Sequence, residues 1–344
     1  MARLHLRNAI IAAALVVTGT PVCAHADAVS DFYKGRTVTV VIPAGLGGSI
    51  GLYGKMLADH IGRHIPGRPT VVVQSMPGGG GVRAAQWAYN AGPKDGTAIA
   101  QLLSPSILAP ALRGAKFDPT RVRWLGSIAP RGSVIMVWHT TPVKTLDDAK
   151  KTQVVLASGG RSDATYIVPV LLNQMIGTRF KVVTGYKGGG TMNKAVESGE
   201  VNGRYSFWTG YVTGKPQWIK EKKIRVLAQF GLAIRELAGV PRGRDVVTKA
   251  EHRKMLDLMS LSERVGLAFW VNPAVPQDRV SALRAAFKAT MTDPAFLAAT
   301  ARRKAPVEPL TGVALEKIVA DGYDVSPAVL ADLKRMAGIG KGRK

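Results

Sequence analysis

The stretch Thr37–Ala58, TVTVVIPAGLGGSIGLYGKMLA, decides the fold. Its first six residues, Thr37 to Ile42, are an apolar, β-branched run, the composition of a parallel strand buried on both faces. Pro43, Gly45, Gly47 and Gly48 end that strand in a turn whose backbone few side chains permit. An amphipathic helix follows, with Ser49 where an N-cap belongs. The first N–H groups of such a helix lack intrahelical partners and lie at the positive end of its dipole, so a carboxylate or phosphate is attracted there. The same turn also serves as a ligand-free connection in many α/β folds, so alone it fixes topology rather than function.

Working outward, the same grammar recurs. Thr70 to Gln74 reads as a strand, Met76 to Val82 (MPGGGGV) as a glycine-rich turn, Arg83 to Asn90 as a helix and Thr97 to Leu103 as a returning strand. This βαβαβ rhythm belongs to a doubly wound domain. Two short strands, Trp124 to Ala129 and Val134 to His139, read as a crossing into a second domain. There Val154 to Ala157, the turn Ser158 to Ala164 and the helix Thr165 to Ile176 repeat the pattern. Lys181 to Thr184, the turn Gly185 to Thr191 and the helix Met192 to Ser198 repeat it again, before strands at Gly203 to Phe207 and Ile224 to Phe230. Gly266 to Val271 (GLAFWV) reads as a strand returning to the first domain. Gln277 to Met336 is mainly helical, with breaks near Pro294, Pro306 to Gly312 and Pro327. The expected architecture is α/β: two doubly wound lobes, 27–129 with 263–344 and 130–262, with glycine turns at the cleft between them.

The start of the chain indicates export. Arg3 and Arg7 precede an apolar stretch, Ala9 to Val17, and Ala24-His25-Ala26-Asp27-Ala28 offers small-x-small cleavage points after 26 or 28. The expected location is the periplasm. The only cysteine, Cys23, precedes both points, so the mature chain is expected to carry neither disulfide nor thiol. About 315 residues then remain, room for two ordinary domains. The formal charge of +24 becomes +22 if cleavage follows Ala26, since Arg3 and Arg7 are then removed. Such a balance attracts anionic small molecules, nucleic acid or a negatively charged membrane surface. The lysines and arginines are spread along the chain without an aromatic-interleaved basic block, so a nucleic-acid partner is not expected.

Catalytic patterns are missing from the sequence. His60 and His64 stand i, i+4, but Ile61 occupies the position of the metalloprotease glutamate, leaving an incomplete metal site. There is no G-x-S-x-G elbow, Lys55 is not preceded by a complete phosphate loop, and Ile50 replaces the third glycine of a dinucleotide fingerprint. No enzyme activity, cofactor or metal is therefore expected. Of the tryptophans, Trp208, two residues past Ser206 at a strand end, is the cleft candidate.

The assembled segments resemble the extracytoplasmic solute receptors of tripartite tricarboxylate transporters, the Bug or TctC-like family. The resemblance is carried, in order, by TVTVVIPAGLGG, VVVQSMPGGGGVRAA, PKDGTAIAQLL, FDPTRVRWLGSIA, TPVKTLDDAKK, VVLASGGRSDATY, VVTGYKGGG, KKIRVLAQFG and the segment Asn272 to Ala298, NPAVPQDRVSALRAAFKATMTDPAFLA. It implies a type II periplasmic binding fold that closes on a small organic carboxylate, held largely by backbone amides and water at two opposed loops. By matching position, the first loop is Ala44, Gly45, Gly47, Gly48, Ser49, Ile50 and Gly51. The second is Ser158, Gly159, Gly160, Arg161, Ser162, Asp163, Ala164 and Thr165. Tyr186 and Gly188 form a third wall, and Ser206 and Trp208 a fourth. It further implies integral membrane subunits of such a transporter as partners, and a monomer.

Two positions depart from the family pattern: Gly51 and Ser206 stand where aspartates are usual, while Arg161 and Arg204 lie near the expected pocket. That balance favours a ligand with more than one carboxylate, since guanidinium pairs bidentately with such groups. Two alternatives to a transport receptor are a periplasmic sensor subunit on the same fold and, from another class, a polyanion- or nucleic-acid-binding protein, which would show steep salt dependence.

Overall fold

Thr37–Ile42 forms strand β1 of a computed structural model that describes residues 23–46, 49–161, 163–186 and 188–339. β1 lies between β2 (Thr70–Ser75) and β3 (Ala98–Gln101), parallel to both. The helix Ser49–Ile61 packs on these strands through Ile50, Tyr53, Met56, Leu57 and Ile61, while Lys55 and Asp59 pair outside at 2.9 Å. Each apolar side chain so buried stabilises the fold by roughly 1.5–3 kcal/mol. The helix can approach this closely because residue 54 is glycine: a Cβ there would lie 2.5 Å from Gln101 Oε1 and 2.6 Å from Ile42 Cδ1.

The remaining strands are β4 (Arg123–Ser127), β5 (Gly132–Trp138), β6 (Val154–Ser158), β7 (Phe180–Thr184), β8 (Gly203–Phe207), β9 (Ile224–Gly231), β10 (Ala268–Val271) and β11 (Leu310–Thr311). They make two sheets, ordered β11-β4-β10-β3-β1-β2 and β7-β6-β8-β5-β9. The returning GLAFWV segment supplies β10, antiparallel to both β3 and β4. Period-2 alternation sends its two aromatics to opposite faces. Phe269 meets Phe287 of the helix Gln277–Thr292 with ring centres 6.1 Å apart, and Trp270 is buried with Trp124 on the other side.

The chain passes between the sheets twice, and the two passages hold each other. Ile128 N–H donates to Leu267 O at 2.9 Å, and Leu267 N–H donates to Ala129 O at 3.0 Å. Gly266 has φ of 56°, and a Cβ there would fall 2.0 Å from Ala129 O, so only glycine allows this approach. Beside it, Arg131 N–H donates to Glu263 O at 2.8 Å. The last helix, Pro327–Ala337, packs against the helix Ala164–Ile176, which covers the five-stranded sheet, and against the helix Ala250–Met259.

The strands expected from the sequence are present to within a few residues, as are the C-terminal helices Gln277–Thr292, Pro294–Arg302, Gly312–Tyr323 and Pro327–Ala337. The break at Pro306 to Gly312 contains one strand that was not expected, β11, which pairs antiparallel with β4. Gly312 lets it approach, since a Cβ there would lie 2.0 Å from Trp124 O. Residues 1–22 of the expected export leader, 1–26, lie outside the described residues; the helix Cys23–Tyr33 spans both expected cleavage points. Val29 and Tyr33 of that helix are buried, and Tyr33 Oη donates to Gly96 O at 3.2 Å.

Candidate functional site

The first glycine turn runs from the end of β1 into the helix Ser49–Ile61. Ala44 O accepts from Ser75 Oγ at 2.8 Å, and Ile50 O accepts from the buried Gln101 Nε2 at 3.0 Å, so the turn is tied to β2 and β3. Gly45 is exposed. Gly51 meets the turn folding back over it: a Cβ would sit 2.4 Å from Leu46 Cα and 2.6 Å from both Gly45 O and Leu46 O. No side chain fits at residue 51 unless the turn shifts. The first turn of this helix carries no acidic residue. Gly47 and Gly48, together with the side chain of Ser49 and hence its expected cap, lie outside the described residues.

The second turn is internally satisfied. Asp163 caps the helix Ala164–Ile176, Oδ1 accepting from Thr165 N–H at 2.8 Å and from the Thr165 hydroxyl. Ser158 Oγ and Thr165 Oγ1 are 2.6 Å apart; Gly159 N–H donates to Thr165 Oγ1 and Gly160 N–H to Ser158 Oγ, both at 3.3 Å. Ala164 is the first residue of the helix, and Ser162 lies outside the described residues. Arg161 is exposed, its guanidinium carbon 5.8 Å from the centre of the Tyr166 ring. In the third segment, Tyr186 Oη donates to Glu200 Oε1 at 2.5 Å, while Gly188, at φ of 94°, precedes the helix Gly189–Glu197.

Arg204 on β8 is 6 % exposed and held by neutral acceptors: Gly189 O at 2.7 Å, Asn193 Oδ1 at 3.0 Å and Ser206 Oγ at 2.9 Å. It anchors the start of the helix Gly189–Glu197 to the strand. His60 and His64 do not converge either. His64 Nε2 lies 2.9 Å from Asp293 Oδ2, His60 Nδ1 accepts from Arg63 at 3.0 Å, and the His60 ring stands edge-on to Phe296.

A cavity of about 600 Å³ opens between the two sheets. From the six-stranded side it takes Leu52 and Tyr53, next to the first glycine turn, with Leu267 and residues 303–306 and 308. From the other side it takes 206–210, 212 and 232–236, and its floor is the crossing 129–132. Ser206 and Trp208, two of the residues expected from the sequence, thus line one cavity with Leu52 and Tyr53 of the helix Ser49–Ile61, whereas no described residue of the expected first loop, 44–51, or of the Ser158–Thr165 turn is part of its wall. The Trp208 indole N–H is buried without an acceptor.

The residue that sequence reasoning missed is Arg131. It lies in the crossing, in the wall of this cavity, with its guanidinium carbon 5.0 Å from the centre of the Phe207 ring. Tyr53, whose hydroxyl donates to Pro306 O at 3.0 Å, is pushed up to about 12 by burial, against which the Arg131 charge acts. The signal was available: one cation between proline and glycine in Ala129-Pro130-Arg131-Gly132, inside the crossing the sequence had placed.

Behind this floor lies a buried acid. Glu263 Oε1 accepts from Tyr205 Oη at 2.7 Å and Ser133 Oγ at 2.9 Å, and Oε2 accepts from Ser262 Oγ at 2.7 Å. Burial raises its pKa above the ordinary carboxylate value, and those three hydroxyls oppose the rise. Among the described residues there is no cluster of three or more histidine, cysteine or acidic side chains that could hold a metal.

Two α/β layers joined by paired crossings, with a cavity at the join, define a two-lobed binding-protein fold of the type II periplasmic class. The family model of the tripartite tricarboxylate transporter family receptor matches residues 56–331, and the chain belongs to that family. A relative in Cupriavidus necator, described as the UPF0065 protein in the gbd 5' region, is 27 % identical over 242 residues, covering 67 % of this chain and 70 % of its own. A TctC solute-binding protein from Polaromonas shares the fold with a TM-score of 0.67 at 17 % identity, over 89 % of this chain and 99 % of that one. MatC from Rhodopseudomonas palustris, solved with bound malate, does so with a TM-score of 0.56 at 16 % identity, over 88 % and 99 %.

Proposed function

We propose that this protein is a periplasmic receptor that captures a small organic carboxylate between its lobes and presents it to the integral membrane subunits of a tripartite tricarboxylate-type transporter. In this reading it acts as a monomer, without a cofactor and without a reaction of its own. The lobes are 27–129 with 263–344 and 130–262, the mature chain begins after residue 26 or 28, and Pro327–Ala337 straps one lobe to the other. A leader ending at 26 keeps Val29 and Tyr33 in the core.

The observation that carries the reading is the cavity between the two sheets, lined by Leu52 and Tyr53 on one side, Ser206 and Trp208 on the other and Arg131 of the crossing. Its size suits a small ligand. A ligand that touches both lobes favours the closed arrangement by its extra contacts there, and the closed shape is what a membrane partner distinguishes from the open one. Membership of the receptor family and the malate held by MatC support a carboxylate as the ligand class.

A thermal-shift series with mono-, di- and tricarboxylates, at low and moderate salt, tests this. A ligand at about 100 times its Kd adds about 2.7 kcal/mol of stability. For a chain of this size that raises Tm by about 4 °C. A selective, salt-tolerant rise with one acid class is expected. No rise with any carboxylate, together with tight, salt-sensitive binding of polyanions, would show the fold put to another use.

A further inference from the structure

Two arginines stand near the cleft in opposite circumstances. Arg204 spends its N–H groups on a backbone carbonyl, an amide oxygen and a hydroxyl of its own lobe. Arg131 lines the cavity floor with no carboxylate acting on it among the described residues; the ionisable neighbour is the Tyr53 phenol. Its backbone is fixed by the bond from its N–H to Glu263 O, and β5 begins at the next residue. Its guanidinium rests near Phe207 of one lobe, and its charge opposes the burial-driven rise of the Tyr53 phenol's pKa in the other.

Burial presses against this charge and lowers its pKa from the ordinary value, yet a guanidinium remains cationic at neutral pH. The Phe207 ring offsets only part of the lost hydration. A partly buried cation without a counter-charge is costly, and the group that relieves it is an anion bound in the fork of its N–H donors. The cavity adds to this demand, because Arg235, Arg303 and Lys304 outnumber Glu236 and Glu308 in its wall.

We infer that Arg131 is a specificity-determining residue of the cleft, binding an anionic group at the end of the ligand that reaches the crossing segment. The ligand is then a dianionic acid, with its second carboxylate on Arg131. This rests on the carboxylate-receptor reading and goes beyond it by naming the residue that reads the second charge. A cavity of about 600 Å³ has room for an aliphatic diacid of several carbons.

The test is calorimetric titration of the mature protein and its Arg131→Gln and Arg131→Lys variants. The ligands are succinate, glutarate and adipate, against butyrate, pentanoate and hexanoate. The readout is the ratio of diacid to monoacid affinity at equal chain length. Wild type is expected to favour a diacid, and Arg131→Gln to lower that ratio by about 10- to 100-fold, the loss of a hydrogen-bonded charge pair. Arg131→Lys is expected to fall between, keeping the charge but not the fork. If wild type binds acids of either kind and the ratio is unchanged in Arg131→Gln, the assignment of Arg131 is wrong while the receptor reading stands. If wild type binds none of the six acids and nothing else among the carboxylates, both fall. Should Arg131→Gln fail to fold, Arg131→Lys and Phe207→Leu carry the test: both are expected to lower the ratio, and an unchanged ratio in both overturns the inference.

Discussion

Two strand-to-helix turns with the same glycine-rich grammar, 44–51 and 158–165, end in different electrostatic states. The second brings its own acid: Asp163 occupies the N–H of Thr165, and hydroxyls of Ser158 and Thr165 take up those of Gly159 and Gly160. The first carries no acid among residues 44–51 and is followed by Leu52 and Tyr53, which line the cavity between the sheets. Glycine spacing therefore specifies that a turn can form, while the side chains around it decide whether the positive end of the helix is left for a ligand.

The sharpest break in this comparison comes from adding one methyl group to each turn. Gly51→Ala would drive a Cβ to within 2.4 Å of Leu46 Cα, and the turn must rebuild. We expect a loss of about 1–3 kcal/mol in chemical denaturation, with ligand affinity falling as well. Gly160→Ala meets nothing within 4 Å, and the expected change is within about 0.5 kcal/mol. Equal effects at the two sites would erase the distinction between a turn folded onto its helix and one that is not.

A smaller effect is expected from Asp163→Ala, which removes the second turn's own acid and costs about 1 kcal/mol of stability, read as a lower Tm. The sharpening observation is whether ligand affinity falls less than stability does, as expected for a carboxylate that serves its own helix. The smallest effect concerns the crossing, where Glu263 accepts Arg131 N–H through its backbone yet keeps its carboxylate among hydroxyls. Its folded pKa is raised above the ordinary 4.5. The native state then holds that proton more tightly than the unfolded chain, so the stability contributed is present below 4.5 and is lost as pH rises through the folded pKa. Glu263→Gln lacks this slope, so its Tm relative to wild type should climb as pH is raised from about 4.5. Parallel curves would place the ionisation elsewhere.

Much of the fold was legible because strong local signals agreed with one another. The β-branched run Thr37–Ile42, the prolines at 294 and 327 and the apolar GLAFWV segment each mark an element that tertiary packing then kept. β11 was not legible: two residues cannot declare a strand, and Leu310–Thr311 becomes one only because β4 lies open beside it and Gly312 admits Trp124 O. At the site, the sequence read Gly51 as a missing charge, whereas its neighbours also leave no space for any side chain. It drew Arg204 toward the ligand, but the acceptors that hold Arg204 come from Gly189 and Asn193, eleven or more residues away, a meeting no spacing rule reveals. Arg131 was overlooked because the turns, rather than the crossing between them, were searched for charge.

The most direct test of the central claim is the distance between lobes with and without ligand. Spin labels placed at exposed positions Val72 and Lys181, one on each sheet, can be attached to the mature chain selectively, since Cys23 is the only cysteine and precedes the proposed start. Pulsed dipolar spectroscopy in the presence of a carboxylate that raises Tm should show the distribution narrow and shift to a new mean. An unchanged distribution at saturating ligand would contradict capture by closure of the two lobes.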